Sequence, residues 1–216
     1  MSPAAAGPRT WPAPAVQAPE DVRSAARGCD DLRSLAVAAS GCTACPELAA
    51  TRRRVVPGAV PAGARLLVMG EAPGAQEDES GQPFVGRSGQ LLDELLAEVG
   101  LARADVGVLN TVKCRPPGNR PPTRAESAAC RGWTERQLQL AAPSVVVALG
   151  LSATRWFLGP GTLAARRGRL HGVDRPVAGL QVLPTYHPSA AIRYGPAGEP
   201  RRLLREDLAL AARSLG

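Results

Sequence analysis

The sequence predicts an α/β fold, a single domain with a central, mostly parallel sheet of four to five strands flanked by helices. Three observations carry that prediction. Short apolar runs recur at residues 65–70, 106–110 and 144–150, each ended by glycine or asparagine. Between them lie longer segments with apolar residues at helical spacing and with helix-start signals. Strands alternating with helices give parallel pairing, because each crossover helix returns the chain to the same end of the sheet.

The elements follow in order. Residues 1 to about 18 are rich in Pro and Ala without an apolar period and read as a disordered tail, leaving 19–216 as the domain. From Glu20 to about Ser40 the pattern is helical and leads into Cys42. Arg65–Gly70 is the first buried strand. Ser88 is expected to cap a helix that carries Leu91, Leu92, Leu95, Leu96 and Val99 on one face and stops at Gly100. Val106–Asn110 is the second strand, and Thr123 with Glu126 forms a capping box that opens a helix to about Leu140. Ser144–Gly150 is the third strand, with a helix from about Ser152. Residues 169–186 suit two more strands, the last being Gln181–Tyr186, and an amphipathic helix runs from about Arg201 to Leu215. Ligands of such sheets bind beyond the carboxyl ends of the strands. Chemistry is therefore expected in the loops that begin at Glu71, Asn110 and His187.

Composition narrows the function classes. No apolar run reaches the roughly 18–20 residues of a membrane span, and no secretory signal is evident, so the chain reads as cytoplasmic. The net charge is +7, and Lys113 is the only lysine among the basic residues. A sequence pI near 9.9 suits a polyanionic partner, since arginine forks pair with phosphates. Five cysteines in a cytosolic chain point to a metal or catalytic role rather than to disulfides.

Five constellations can carry chemistry. Gly70–Gly74 follows the first strand, but no G-K-[ST] comes after it, which excludes a P-loop. The acidic Glu71, Glu77, Asp78 and Glu79 also disfavour phosphate cradling there. In Gly81–Gly86, Phe84 is either a core plug or a stacking platform for a planar base. Asn110 either turns the chain or reads a nucleobase edge, and the second role requires surroundings that lock its amide. His187 is one of two histidines and stands at a strand end, where it can face a pocket; Ser189 can cap the next turn or touch a phosphate. Cys42 and Cys45 form a C-x2-C knuckle, with Cys114 and Cys130 on separate elements. That set suits a [4Fe-4S] cubane better than a zinc ribbon, with zinc and free thiols as the alternatives and Cys29 left over.

In their order and combination, these segments resemble the family 4 uracil-DNA glycosylases, the iron–sulfur branch of that superfamily, over about residues 40 to 214. The resemblance rests on C-x2-C at 42–45, G-E-A-P-G at 70–74, G-Q-P-F-V-G at 81–86, N-T-V-K-C-R-P-P-G-N-R at 110–120, Cys130 and H-P-S-A at 187–190. It implies that Cys42, Cys45, Cys114 and Cys130 hold a structural [4Fe-4S] cluster. It further implies that Phe84 stacks on a flipped-out uracil, Asn110 bonds its edge, His187 lies near uracil O2, and Ala72 with Glu71 lines the sugar side. The family 1 enzymes carry an aspartate where this chain has Ala72, so Glu71 is expected to position the water, with Glu77 its competitor. Arg115, Arg120, Arg193, the group Arg166, Arg167 and Arg169, and the run Arg52–Arg54 are phosphate contacts or plain surface charges, and Ile192 a wedge into the duplex. The expected partner is uracil-containing DNA, single or double stranded, met by a monomer at the nucleoid. The alternatives are a branch trapped covalently on DNA, an enzyme for other deaminated bases, and a non-enzymatic cluster protein that binds DNA.

Overall fold

The computed structural model describes residues 19–216, so the tail expected at 1–18 lies outside the described residues. Nine α-helices and five strands follow along the described chain. They are α1 (Pro19–Arg27), α2 (Leu32–Ser40), α3 (Pro46–Thr51), β1 (Leu66–Gly70), α4 (Ala75–Ser80), α5 (Arg87–Glu98) and β2 (Val106–Asn110). After these come α6 (Arg124–Ala141), β3 (Val145–Leu149), α7 (Gly150–Leu158), β4 (His171–Val173), β5 (Leu180–Thr185), α8 (Pro188–Tyr194) and α9 (Glu199–Arg213).

The sheet order is β2-β1-β3-β5-β4, with all pairs parallel except the short edge strand β4. The chain leaves β1 towards β2 and later returns to β1's other side as β3. The switch point therefore falls between β1 and β3, where the loops after the two strands part and leave a crevice. The central strands are buried on both faces, and their period of two sorts the core. Leu66 and Val68 face α5, α8 and α9, through Leu92, Leu96, Ala191 and Leu204. Leu67 and Met69 face α6 and α7, through Leu138 and Ala153. A third apolar cluster joins α1 and α2 to Trp133 of α6 and to three of the cysteines. Pro184 is tolerated inside β5 because β4 pairs only with residues 180–182, so its missing N–H falls beyond the edge strand.

Several expectations are corrected. The helix expected from Glu20 to Ser40 is two helices, broken where Asp31 caps α2 in a box with Ser34. Ser88 is not a cap: α5 begins at Arg87 behind Gly86, whose N–H is already bound by Glu77 at 2.8 Å. The helix after β3 starts at Gly150, two residues earlier than expected. By contrast, the Thr123–Glu126 box stands as expected, with both reciprocal bonds formed at 3.2 and 2.7 Å.

Candidate active site and cysteine pocket

The loops at the carboxyl ends of the parallel strands line one cleft. Glu71–Gly74 and Glu77 come from the segment after β1, and Phe84 and Ser88 from the approach to α5. Asn110 closes β2, Leu149 closes β3 with Gly150 and Leu151 after it, and His187, Ser189 and Arg193 follow β5. Pro116 and the turn 119–121 form the remaining wall.

Phe84, Asn110 and His187 converge. The rings of Phe84 and His187 lie 6.0 Å apart between centroids, tilted by 37°. A side chain added at Gly70, the last residue of β1, would place its Cβ 2.5 Å from Asn110 Oδ1 and 2.7 Å from Phe84 Cζ. Glycine is thus required there by close approach, and it lets both side chains crowd the end of the central strand. Phe84 is 7% exposed and belongs to the main core while it lines the cleft, so plug and platform describe two sides of one ring.

The backbone of Phe84 is held in the left-handed region, φ +53°, which costs a non-glycine residue energy unless its surroundings enforce it. Glu77 helps to enforce it. Its carboxylate accepts the N–H groups of Val85 at 2.9 Å, Gly86 at 2.8 Å and Gly74 at 3.1 Å. Both oxygens are therefore engaged by main-chain donors. Its neighbour Asp78, 2% exposed, accepts the N–H groups of Arg53 at 3.0 Å and Arg54 at 3.3 Å, tying α4 to the segment that follows the cysteine knuckle. Glu71 differs: it lines the cleft with no side-chain hydrogen bond among the described residues, and burial raises its carboxyl pKa.

Asn110 is 2% exposed, and its Oδ1 is buried without a hydrogen-bond partner. Buried polar atoms are almost always satisfied, so an orphaned acceptor at a cleft wall points to a donor brought by a ligand. His187 caps α8, its Nδ1 accepting the Ser189 N–H at 3.1 Å. That main-chain donor leaves the proton of the neutral ring on Nε2. Burial pushes the His187 pKa down to about 4, against the opposing pull of Glu77, so the ring is neutral at physiological pH. Gly150, at φ +83°, lets the turn after β3 come close to the His187 Cβ.

The family model described as "Uracil DNA glycosylase superfamily" matches residues 57–209, which carry the whole sheet and every cleft loop. The chain belongs to the uracil-DNA glycosylase superfamily. It sits in the type-4 branch. It is 44% identical to a Type-4 uracil-DNA glycosylase of Thermotoga maritima over 77% of this chain and 85% of the relative. A Type-4 uracil-DNA glycosylase of Pyrobaculum aerophilum is 41% identical over 76% and 85%. A Type-5 uracil-DNA glycosylase of Mycobacterium leprae is less similar, 34% identical over 75% and 86%.

In this superfamily member Cys42, Cys45, Cys114 and Cys130 line a second, smaller pocket. Its other walls are mostly apolar, including Leu48, Val55, Val112 and Trp133. All four cysteines are free thiols. Burial raises the pKa of Cys45 and Cys114 to about 11 and that of Cys130 to about 12, so burial by itself disfavours thiolates. A cationic group bound there would reverse that balance. Donors already point at the sulfurs: Arg52 Nη1 lies 3.5 Å from Cys114 Sγ, and the Lys113 N–H lies 3.2 Å from Cys130 Sγ. The donor set fits a thiolate-ligated group. Among the described residues no three His, Cys, Asp or Glu side chains converge on a single ion. Cys29 lies apart, donating to the Ala25 carbonyl at 3.3 Å.

The expected arginines divide. Arg193 lines the cleft and has no ion pair or hydrogen bond among the described residues. Arg120 also lines it, yet its guanidinium is taken by Glu126 at 2.7 and 2.9 Å and by Glu47 at 3.0 Å, so it braces α3 to α6. Arg115 Nε is bonded to Asn119 at 2.7 Å. Arg167 pairs with the buried Asp207 at 2.9 Å, and Arg166 caps the Gly159 carbonyl at 2.8 Å. Ile192 is half-buried against the main core and lines a neighbouring groove. Tyr194, two residues on, is 68% exposed. Sequence reasoning missed the main-chain roles of Glu77 and Asp78, although Gly74–Glu77 has the spacing of a helix-start box.

Proposed function

We propose that the chain is a uracil-DNA glycosylase that extrudes uracil from DNA and hydrolyses its N-glycosidic bond, leaving an abasic site. The observation that carries the reading is the orphaned Oδ1 of Asn110 in a cleft that the Phe84 ring and a neutral histidine also line. Uracil brings an N3–H donor to that oxygen; cytosine brings a lone pair, which would leave both acceptors unsatisfied. Such a site rejects the wrong partner strongly, because its buried polar atom stays unpaired. Phe84 supplies the stacking face, and Ala72 leaves room on the sugar side. Extrusion costs a few kcal/mol, repaid by these contacts.

As the bond breaks, negative charge collects on uracil O2 and positive charge on the sugar. The Nε2–H of His187 donates to O2, and because it is neutral it stabilises the anion without fully protonating it. Water then adds to C1′ and gives up its proton to a carboxylate. Glu71 takes that role, since all three donors around Glu77 already engage both of its oxygens. The raised pKa of Glu71 makes it a stronger base than an ordinary carboxylate. Glu77 acts through the loop it holds.

Cys42, Cys45, Cys114 and Cys130 would hold a [4Fe-4S] cluster. When bound, it supplies a rigid cross-link between the α2–α3 turn, the loop after β2 and α6. Arg193, Ser189 and Arg115 contact DNA phosphates; Arg120 serves chiefly as a brace. Ile192 of α8 is the residue that wedges into the duplex. No helix among the described residues is long and apolar enough to cross a membrane, and the protein acts as a monomer on DNA in the cytoplasm. His171, bonded to the Arg166 carbonyl in β4 at 2.9 Å, does not line the cleft and offers no trapping nucleophile there.

The test is the pair His187→Ala and Asn110→Ala. Both are expected to lower uracil release by about 100-fold or more, the usual worth of an anion-stabilising donor, while fold and visible absorbance persist. Wild-type rates in both would overturn the assignment.

A further inference from the structure

Lys113 is the only lysine of a chain that uses arginine everywhere else, and it is 2% exposed. A buried ammonium is rare and must be both hydrogen-bonded and charge-compensated. Its Nζ donates to the main-chain carbonyl of Asn110 at 2.8 Å and to Gln137 Oε1 at 2.7 Å. Gln137, on α6, turns its other amide end to the Pro57 carbonyl at 3.0 Å, which fixes which end faces the lysine. The main chain of the same residue is also committed. Its N–H donates to Cys130 Sγ at 3.2 Å, its carbonyl accepts the Val56 N–H at 2.8 Å, and the next residue is Cys114. No carboxylate pairs with Lys113 among the described residues.

We propose that Lys113 is a positioning residue for base recognition, linking the cysteine site to the base-reading asparagine. The Lys113 Nζ pins the main chain at Asn110 to α6 through Gln137. The inference rests on the base-reading role proposed above for Asn110. A compact point donor on a flexible stem fits between two acceptors in this buried space, whereas a planar five-donor fork would leave several N–H groups unmet. This accounts for a lysine in an arginine-rich chain. It also gives the cysteine site a route to the cleft: residues 110–114 run from one to the other, and Thr111 and Val112 bond to the Gly70 and Glu71 carbonyls at 2.9 and 3.0 Å.

The test compares Lys113→Met, Gln137→Met and Asn110→Ala in iron-loaded protein. Inhibition by free uracil reads the grip on the base without the chemistry; iron content and binding to abasic-site DNA serve as controls. Lys113→Met and Gln137→Met are expected to weaken uracil inhibition at least about 10-fold and to lower kcat/KM by about 10- to 100-fold, the cost of a misplaced contact. Abasic-site binding stays unchanged and Gln137→Met keeps its iron. If Lys113→Met fails to fold or load, Gln137→Met decides. Loss of thermal stability alone, with wild-type uracil inhibition, overturns the inference. If Asn110→Ala loses the grip while the other two keep it, the lysine link fails by itself. If Asn110→Ala also keeps it, the base-reading assignment fails and the link falls with it.

Discussion

Gly89→Ala tests the platform at its most constrained point. Gly89 lies in the first turn of α5, and a Cβ there would stand 1.7 Å from the Phe84 carbonyl oxygen, 2.2 Å from its carbon and 2.9 Å from its Cα. Real Cβ atoms do not approach within 3.0 Å, so the Phe84 carbonyl must retreat by about 1.3 Å if the helix yields nothing. The carbonyl has little freedom, since the two N–H groups that follow it are bonded to Glu77 and its ring is packed in the core. Overpacking of this kind costs about 1–3 kcal/mol of stability. Displacing a substrate-positioning group by about 1 Å costs on the order of 100-fold in rate, or about 2.7 kcal/mol of transition-state stabilisation. The assay is kcat/KM on a uracil-containing oligonucleotide, with a thermal melt and the visible absorbance of the iron-loaded protein as controls. Residue 89 does not line the cysteine pocket, so absorbance should persist while turnover falls. A folded Gly89→Ala with wild-type kcat/KM would refute Phe84 as the platform.

The remaining predictions concern the carboxylates, the histidine and the arginines. Glu71→Gln should lower kcat with little change in melting temperature, whereas Glu77→Ala removes three main-chain hydrogen bonds, two of them part-buried, and should destabilise the protein by about 1–3 kcal/mol; equal behaviour in kinetics and melts would remove the distinction. His187 has a folded pKa of about 4, below the unfolded value near 6.5, so the folded state binds fewer protons between those limits. Stability is therefore expected to fall by about 3 kcal/mol as pH drops through that window. His187→Asn should flatten this slope in urea titrations at pH 7 and pH 5. Arg193→Ala should reduce the salt dependence of DNA binding by about one phosphate contact, while Arg120→Ala should lower stability with the salt slope unchanged.

How much of this was legible in the sequence depends on how local the cause is. β1, β2 and β3 declared themselves because strands buried on both faces read as continuous apolar runs. α6 did so through a capping box whose two partners are three residues apart. The short helices α3, α4 and α8 carry no apolar period over six or seven residues, and they begin where a cysteine, a glycine or a histidine happens to stand at the turn. Ser88 looked like a cap by type, but the bond from Gly86 to Glu77 sets the boundary, and that bond spans nine residues. The same divide runs through the site. The cleft positions of Asn110 and His187 were readable because strand ends predict where side chains gather, whereas Phe84 lies between α4 and α5 and only the family resemblance singled it out as a platform. The roles of Glu77, Asp78 and Lys113 were not, since each depends on main-chain groups that only folding brings near. Composition singled out Lys113 as unusual without revealing its partners.

The most direct measurement follows strand breakage after alkali in two oligonucleotides that differ only in carrying uracil or cytosine at one position. The protein should give a break at uracil, leave cytosine intact, and lose the uracil signal in Asn110→Ala. An uncut uracil strand, or equal breakage at both bases, would contradict a cleft built to release uracil.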